Sequence, residues 1–217
     1  MNFKNVSRPV KNNMQNIQVR GLLIGLLVLC ACQAVKDPDI VELNKIIPDI
    51  VLDIRYATDD NFVGKVLYPS SRCFLAKKPA LALKKVQQDL KQQGFSLKVF
   101  DGYRPLSVQK QMWEILPDPR YVADPATGSN HNRAYSVDVT LLDLDGNEMP
   151  MPSKFDDFSE KAHRDYMDCP QEAIRHRSIL EDAMKKHGFT GISSEWWHFD
   201  YKGHKKMPVL DIPLDSL

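Results

Sequence analysis

Residues 129–142 read Ser-Asn-His-Asn-Arg-Ala-Tyr-Ser-Val-Asp-Val-Thr-Leu-Leu. The second half of this stretch is rich in β-branched and apolar residues, which predicts a strand over 134–142. His131 lies just before the predicted strand, and Asp138 lies within it. Imidazole and carboxylate groups are both suitable zinc ligands, so this segment is the first candidate for a metal site.

Helices and strands alternate on both sides of this strand. Hydrophobic periodicity and turn residues predict helices over 79–93, 107–116 and 170–187, and further strands over 50–56, 95–100 and 192–201. An Asp-Gly turn at 145–146 favours antiparallel neighbours. The sequence therefore predicts a single α+β domain with a mostly antiparallel sheet and flanking helices.

The charge distribution argues against nucleic acid as a partner. Four basic residues, Lys4, Arg8, Lys11 and Arg20, lie within the first 20 residues, well before the first acidic residue, Asp37; without those four, 25 basic residues stand against 28 acidic ones. The rest of the chain is therefore weakly acidic, and its sequence has no basic patch or stripe. This balance is compatible with a small polar or zwitterionic substrate.

The N-terminal stretch has the pattern of an export signal. Residues 21–32 read Gly-Leu-Leu-Ile-Gly-Leu-Leu-Val-Leu-Cys-Ala-Cys and follow a basic segment that ends at Arg20. This apolar run is shorter than the roughly 20 residues of a membrane-spanning helix, and the layout is typical of a secretory signal. Its end resembles the bacterial lipobox, which predicts lipidation of Cys32. The alternatives are a plain signal peptide cut nearby and an uncleaved anchor.

These features divide the chain into three parts. We expect a lipoprotein signal peptide over 1–31, a tether over 32–47 and the folded domain over 48–217. Gln33, rather than Asp, follows the candidate cysteine. By resemblance to Gram-negative lipoproteins, this predicts a periplasm-facing protein anchored at the outer membrane.

Cys73 and Cys169 remain in the predicted domain. In an oxidising compartment the two could form a disulfide bond. Two separate buried thiols are the alternative, and separation along the sequence does not decide between them.

A second candidate segment is Glu195-Trp196-Trp197-His198. A catalytic zinc ion usually takes three protein ligands and keeps one position for water, and His131, Asp138 and His198 can supply such a set. Glu195 lies three residues before His198, so a regular strand would place these two side chains on opposite faces. A bulge or turn is needed if Glu195 is to lie beside the metal as a general base. Surface, capping or salt-bridged residues produce the same spacings, so both interpretations stay open.

Four blocks of the sequence resemble the D-Ala-D-Ala dipeptidases of the VanX type, a branch of the zinc D-Ala-D-Ala peptidases. The family pattern Ser-x-His-x-x-Gly-x-Ala-x-Asp aligns with residues 129–138, and Glu-Trp-Trp-His matches 195–198. Asp-Gly-Tyr-Arg-Pro matches 101–105, and Arg-Tyr-Ala-Thr-x-x-Asn-Phe-x-Gly matches 55–64. The resemblance spans most of the predicted domain and implies the α+β fold of the Hedgehog and DD-peptidase proteins.

Two positions depart from the family pattern. Ala134 stands where the family usually has Gly, and Ser136 stands where it usually has Ala. Neither is an expected ligand. Ala134 matters if the backbone needs a positive φ there, because a Cβ atom makes that conformation costly.

The resemblance assigns roles to eight positions. It implies the zinc ligands His131, Asp138 and His198, the general base Glu195, the transition-state stabiliser Arg104, and the substrate-binding residues Ser129, Tyr56 and Asp156. Asp156 is expected to take the free ammonium group of the substrate.

The implied activity is hydrolysis of free D-Ala-D-Ala to two D-Ala by attack of zinc-bound water, with one zinc ion per subunit. A zinc D,D-carboxypeptidase that trims cell-wall peptides is one alternative. A non-catalytic, lipid-anchored module that binds zinc or the cell wall is the other.

Overall fold

A computed structural model describes residues 39–217 of the chain, together with Met1. Its centre is a five-stranded sheet in the order β2-β4-β5-β7-β6. These strands are β2 (Val51–Leu52), β4 (Phe95–Asp101), β5 (Ser136–Asp143), β6 (Phe189–Ile192) and β7 (Glu195–Tyr201). Only the β2–β4 pair of this sheet is parallel. The expected α+β domain with a mostly antiparallel sheet is confirmed.

Strand β5 is the middle strand of this sheet and lies between β4 and β7. Every residue of β5 except Asp143 is buried, as expected for a strand with neighbours on both edges. Asp138 pairs directly with His198 in the antiparallel β5–β7 ladder. Residues paired directly across a ladder point to the same face, so this register places the two side chains next to each other.

Two long helices pack against the sheet and against each other, α2 (Lys77–Lys91) on β4 and α4 (Gln171–Lys186) on β5 and β6. The apolar side of α2 is buried, as its periodicity predicted. Two further α-helices of residues 39–217 are α1 (Leu43–Ile46) and α3 (Leu106–Ile115). The three predicted helices are present, with ends within two residues of those expected.

Two predicted strands differ from the observed ones. The strand expected over 50–56 is limited to β2, because residues 55–57 form a 3-10 turn held by local hydrogen bonds such as Ala57 N to Ile54 O, 3.0 Å. The strand expected over 192–201 corresponds to β7, which begins at Glu195. Ile192 is instead the last residue of β6, and a tight turn at 193–194 joins the two strands. At residues 55–57 local hydrogen bonds replace a continuous ladder, and at 193–194 a turn interrupts the predicted strand.

The domain begins earlier than residue 48. Strand β1 (Ile40–Glu42) pairs antiparallel with β3 (Phe74–Ala76), and the side chains of Leu43 and Ile47 are buried in the core. The tether expected over 32–47 was therefore too long at its C-terminal end, because apolar residues over 40–47 pack on the domain. The signal peptide expected over 1–31 and the candidate lipidation site Cys32 lie outside the described residues.

Two further expectations concern membranes and cysteines. Among the described residues, no helix has the length and apolar character needed to cross a membrane. Cys73 and Cys169 are free thiols, the first buried and the second half-buried. Of the two alternatives for this pair, the structure has the separate thiols.

Candidate metal centre and active site

Three side chains converge at one end of the β5–β7 ladder. The Nε2 atom of His131 lies 3.0 Å from Nδ1 of His198 and 3.3 Å from Oδ1 of Asp138. The third distance, from His198 Nδ1 to Asp138 Oδ1, is 3.0 Å. All three side chains are buried, and the three atoms form a compact set that could hold a metal ion.

Each imidazole ring is oriented by a hydrogen bond on its far nitrogen. Nδ1 of His131 lies 2.7 Å from the carbonyl oxygen of Gly102, and Nε2 of His198 lies 2.9 Å from Oδ1 of Asp200. Because both acceptors require a protonated ring nitrogen, the other nitrogen of each ring is the one that faces the centre and would bind a metal ion. Such partners fix the tautomer and the orientation of metal-binding histidines.

Asp200 is itself held on both oxygens. Ser136 Oγ donates to Oδ1 over 2.5 Å, and Asn130 Nδ2 donates to Oδ2 over 2.9 Å. Ser136, one of the two positions at which this chain departs from the family pattern, thus contacts the carboxylate that orients His198. Asp200 was not among the site residues predicted from the sequence, although its place two residues after His198 on one strand puts both side chains on the same face.

Glu195 reaches the centre through an irregularity between β6 and β7. Gly191 pairs with Phe199, but the next residue, Ile192, pairs with Glu195, so one step along β6 spans four residues of β7. This is the bulge that the sequence required. Oε2 of Glu195 lies 3.9 Å from His198 Nδ1. Burial raises the pKa of Glu195 above its ordinary value.

Arg104 is buried next to the centre and is held by Asp101. Its Nε and Nη2 atoms donate to Asp101 Oδ2 over 3.1 and 2.7 Å, and Nη1 donates to Gln109 Oε1 over 2.8 Å. Burial alone would lower the pKa of Arg104, but the Asp101 carboxylate raises it, so the guanidinium stays charged. Asp101 also accepts a hydrogen bond from Tyr68 Oη over 2.8 Å. Asp101 belongs to the Asp-Gly-Tyr-Arg-Pro block but was not among the site residues predicted from the sequence.

Tyr56 and Asp156 meet although they are a hundred residues apart. The Tyr56 hydroxyl lies 3.3 and 3.2 Å from the two carboxylate oxygens of Asp156, and the Arg104 guanidinium stacks on the Tyr56 ring at 5.0 Å. Asp156 has a positive φ of 58°, a strained conformation that often marks functional positions. Burial, with a further contribution from Asp138, raises the pKa of Asp156 to about 8.

Ser129 lies at the start of the 129–138 segment and is buried. Its Oγ accepts a hydrogen bond from the backbone N–H of His131 over 3.2 Å. Ser129 N–H in turn donates to Asn132 Oδ1 over 2.6 Å. The side chain therefore fixes the turn that carries His131, in addition to facing the pocket.

The candidate site residues predicted from the sequence line one pocket. The cavity has a volume of about 290 Å³, and its walls include the eight positions named from the sequence: Tyr56, Arg104, Ser129, His131, Asp138, Asp156, Glu195 and His198. A cavity of this size suits a small substrate. Three converging donors, a nearby carboxylate with a raised pKa and a buried arginine together form the kind of site found in metallopeptidases.

Comparison with known proteins identifies the family. The profile of the D-Ala-D-Ala dipeptidases, peptidase family M15, matches residues 36–211. The chain therefore belongs to this family and is a peptidase.

Curated relatives agree with this assignment. The D-alanyl-D-alanine dipeptidase of Escherichia coli is 40% identical over 79% of this chain and 89% of its own length. The D-alanyl-D-alanine dipeptidase of Enterococcus faecium is 30% identical over 72% of this chain and 88% of its own. A solved structure of the LdcB LD-carboxypeptidase aligns with a TM-score of 0.45 at 21% identity, over 77% of this chain and 70% of that one.

Proposed function

We propose that this protein is a zinc dipeptidase that hydrolyses free D-Ala-D-Ala to two molecules of D-Ala. The observation that carries the proposal is the triangle of His131 Nε2, Asp138 Oδ1 and His198 Nδ1, with sides of 3.0 to 3.3 Å. The names of the two curated relatives support the choice of substrate.

The donor set fits one zinc ion per chain. Ligand atoms of a tetrahedral zinc with bonds of about 2.0 to 2.1 Å are about 3.3 Å apart, which agrees with the sides of the triangle. Two imidazoles and a carboxylate leave a fourth position free, as in catalytic zinc sites. When bound there, zinc would act as a Lewis acid and lower the pKa of water from about 15.7 to about 7.

Glu195 is the proposed general base and acid. Its carboxylate accepts a proton from water as the water oxygen forms a bond to the carbonyl carbon of the peptide. It then passes that proton to the leaving nitrogen as the C–N bond breaks. The raised pKa of Glu195 supports this double role, because the group then holds a proton more readily between the two steps.

Arg104 is the proposed partner of the negative charge that develops on the carbonyl oxygen. The guanidinium lines the pocket, and Asp101 and Gln109 hold it in one orientation. A fixed donor costs no reorganisation during the reaction, and loss of a comparable donor elsewhere lowers kcat by about 10² to 10³.

Asp156, Tyr56 and Ser129 are proposed to bind the dipeptide. Asp156 and Tyr56 face the pocket as a hydrogen-bonded pair. Burial raises the pKa of Asp156 in the empty pocket, and a free ammonium group bound beside it would favour the ionised carboxylate. An N-acylated peptide would leave that carboxylate without a cation, at a cost of about 3 to 5 kcal/mol for a broken buried pair. The free dipeptide is therefore favoured over cell-wall peptides, and Ser129 Oγ is available to a polar group of the substrate.

The place of action is also part of the proposal. The signal-like segment over 1–31 and the lipobox-like Cys32 support export and a lipid anchor on a periplasm-facing membrane, with the outer membrane favoured by Gln33. Labelling of cells with a fatty-acid probe, compared between wild type and Cys32→Ser, tests this part separately.

A turnover assay that compares free with N-acetylated D-Ala-D-Ala tests the function. We expect fast cleavage of the free dipeptide, loss of activity in a strong chelator and recovery on adding zinc. Glu195→Ala should abolish turnover, whereas Glu172→Ala, at an exposed position on α4, should leave it unchanged. Equal rates on both substrates would favour a D,D-carboxypeptidase, and full activity in the chelator would refute the zinc mechanism.

A further inference from the structure

Arg164 lies behind the β6–β7 irregularity and is not among the described residues that line the active-site pocket. Its side chain is 11% exposed, and neither the sequence motifs nor the proposed mechanism uses it. Burial of an arginine costs free energy unless its N–H groups donate hydrogen bonds and its charge is paired. The contacts of Arg164 therefore call for an explanation.

Arg164 donates hydrogen bonds to both ends of the irregular segment. Its Nε donates to the carbonyl of Ile192 over 2.7 Å, and its Nη2 donates to the carbonyl of His198 over 2.6 Å. Its backbone N–H donates to the carbonyl of Ser193 over 2.9 Å. The ladder loses its regular register between the Gly191–Phe199 pair and the Ile192–Glu195 pair. The carbonyls of Ile192 and His198 therefore belong to this irregular step, from which Glu195 projects to the centre.

Gly191 makes room for this guanidinium. A Cβ atom built on Gly191 would lie 2.0 Å from Cζ and 2.2 Å from Nε and Nη2 of Arg164, far inside van der Waals contact. The backbone of Gly191 is not in the positive-φ region, unlike that of Gly188 or Gly203. The need for glycine at this position therefore comes from the arginine and not from the backbone conformation.

Two side chains contact the guanidinium of Arg164, and a third residue fixes the backbone around it. Its guanidinium stacks on the Phe199 ring at 4.3 Å, and Nη1 lies 3.7 Å from Glu181 Oε2 of helix α4. Within the described residues, Nη1 has no hydrogen-bond partner, so two of the three guanidinium nitrogens carry the hydrogen bonds. Arg177, also on α4, donates to the carbonyls of His163 and Tyr166 on either side of Arg164.

We propose that Arg164 is a positioning residue that fixes the β6–β7 irregularity and thereby places Glu195 and His198, and that Gly191 is required to admit its guanidinium. The inference rests on the proposed function only for the roles of Glu195 as general base and His198 as zinc ligand. It adds a connection from helix α4 through Arg164 to the proposed general base. A fixed fork of donors suits this task, because one side chain must reach two carbonyl oxygens at once.

A double-mutant cycle in the zinc-loaded protein tests the proposal. Gly191→Ala and Arg164→Ala should each lower kcat for D-Ala-D-Ala by about 10²-fold with little change in KM, because displacement of a positioned group by about 1 Å costs that much. The double variant should be no slower than Arg164→Ala alone, since the added Cβ then has no guanidinium to displace. Arg164→Lys should resemble Arg164→Ala, and the exposed Arg175→Ala on the same helix is the matched control.

Two further readouts separate positioning from a general loss of stability. Guanidinium ion added to Arg164→Ala should restore part of kcat, and the Cβ of the double variant should block this rescue. Zinc affinity, measured by competition with a chelator, should show the same non-additive pattern because the His198 carbonyl is one of the two acceptors. If Arg164→Ala does not fold, Arg164→Leu, which keeps the apolar stem, replaces it in the cycle.

The outcomes distinguish this inference from the proposed function. Wild-type kcat in Gly191→Ala, or losses that simply add in the double variant, would overturn the role of Arg164. Failure of the wild type to cleave D-Ala-D-Ala would instead refute the proposed function, and the zinc-affinity cycle would still test the positioning role.

Discussion

Nε2 of His198 lies 2.9 Å from Oδ1 of Asp200, two residues further along strand β7. The same oxygen accepts a hydrogen bond from Ser136 on strand β5 over 2.5 Å. The metal-facing nitrogen of His198 is therefore selected by a carboxylate that the neighbouring strand holds in place. This relationship links a departure from the family pattern to the candidate metal centre.

Removal of this carboxylate should weaken metal binding. We expect Asp200→Asn to lower zinc affinity by about 10- to 100-fold, the usual effect of losing a partner behind a metal-binding histidine. Ser136→Ala should have a smaller effect in the same direction, because Asn130 still donates to Asp200. Chelator competition measures both, and the exposed Asp182→Asn on α4 is the control. An unchanged affinity in Asp200→Asn would contradict the assignment.

Replacement of Arg104 tests the stabilisation of charge. Arg104→Lys keeps the charge but loses the fork that pairs with Asp101 and Gln109. We expect kcat to fall by about 10² to 10³ while zinc affinity stays the same. Steady-state kinetics and metal titration on one preparation separate the two effects. A loss confined to KM would instead assign Arg104 to substrate binding.

Ala134 gives a prediction for stability. It has φ 56° and ψ 25° and is fully buried, so its left-handed backbone costs about 1 to 2 kcal/mol. Ala134→Gly relieves this strain but loses a buried methyl group and backbone entropy, so the free energy of unfolding should change by less than about 1 kcal/mol. Ala134→Val should lower it by at least about 2 kcal/mol, through strain and overpacking. Urea unfolding measures both, and a Val variant as stable as wild type would refute the strain.

The metal-free protein should become less stable as pH rises above about 4. The pKa of Asp156 is raised by burial and by Asp138 from 3.8 to about 8. Between these values the folded chain therefore binds more protons than the unfolded chain, and stability falls with increasing pH. Burial would lower the pKa of His198, but hydrogen bonds with Asp138 and Asp200 raise it from 6.5 to about 10. The folded chain therefore also binds more protons between these values, so the loss of stability continues to higher pH.

Asp156→Asn separates these two contributions. The variant should show a smaller fall in stability between about pH 4 and 6.5, below the range in which His198 titrates in the unfolded chain. The fall that remains there comes from Glu195, whose pKa is also raised by burial. Urea unfolding midpoints in a chelator, measured across this range, provide the test. A variant with the same slope as wild type would show that Asp156 does not titrate as stated.

The sequence predicted the elements whose signal is local. The apolar periodicity of α2 and α4 and the turn residues that follow them located both helices, and the spacing of Glu195 and His198 already required a bulge or turn. Segment 40–47 was missed because a three-residue strand and a single helical turn carry almost no periodicity. Tyr56 was assigned to a strand because alternation continued past Leu52, where 3-10 hydrogen bonds instead end the ladder.

Most of the positioning residues could not be found from the sequence alone. Asp200 had a signal in its place two residues after His198 on one strand. Asp101 and Arg164 act through contacts that only the tertiary structure defines, such as the 2.6 Å hydrogen bond from Arg164 to the His198 carbonyl. No turn pattern in the sequence indicated that Gly191 matters. Glycine is needed there because the side chain of Arg164, from a distant loop, occupies the space of a Cβ atom. The spacing within a motif indicates the residues proposed to bind metal or substrate. It does not indicate the residues elsewhere in the chain that hold those side chains in place.

The central claim is that one zinc ion is bound by His131, Asp138 and His198. A crystal structure of the zinc-loaded protein, with an anomalous difference map at the zinc edge, tests it most directly. We predict a single strong peak at about 2.0 to 2.2 Å from His131 Nε2, Asp138 Oδ1 and His198 Nδ1. A peak bound by other residues, or no peak at this position in a zinc-loaded crystal, would contradict the account.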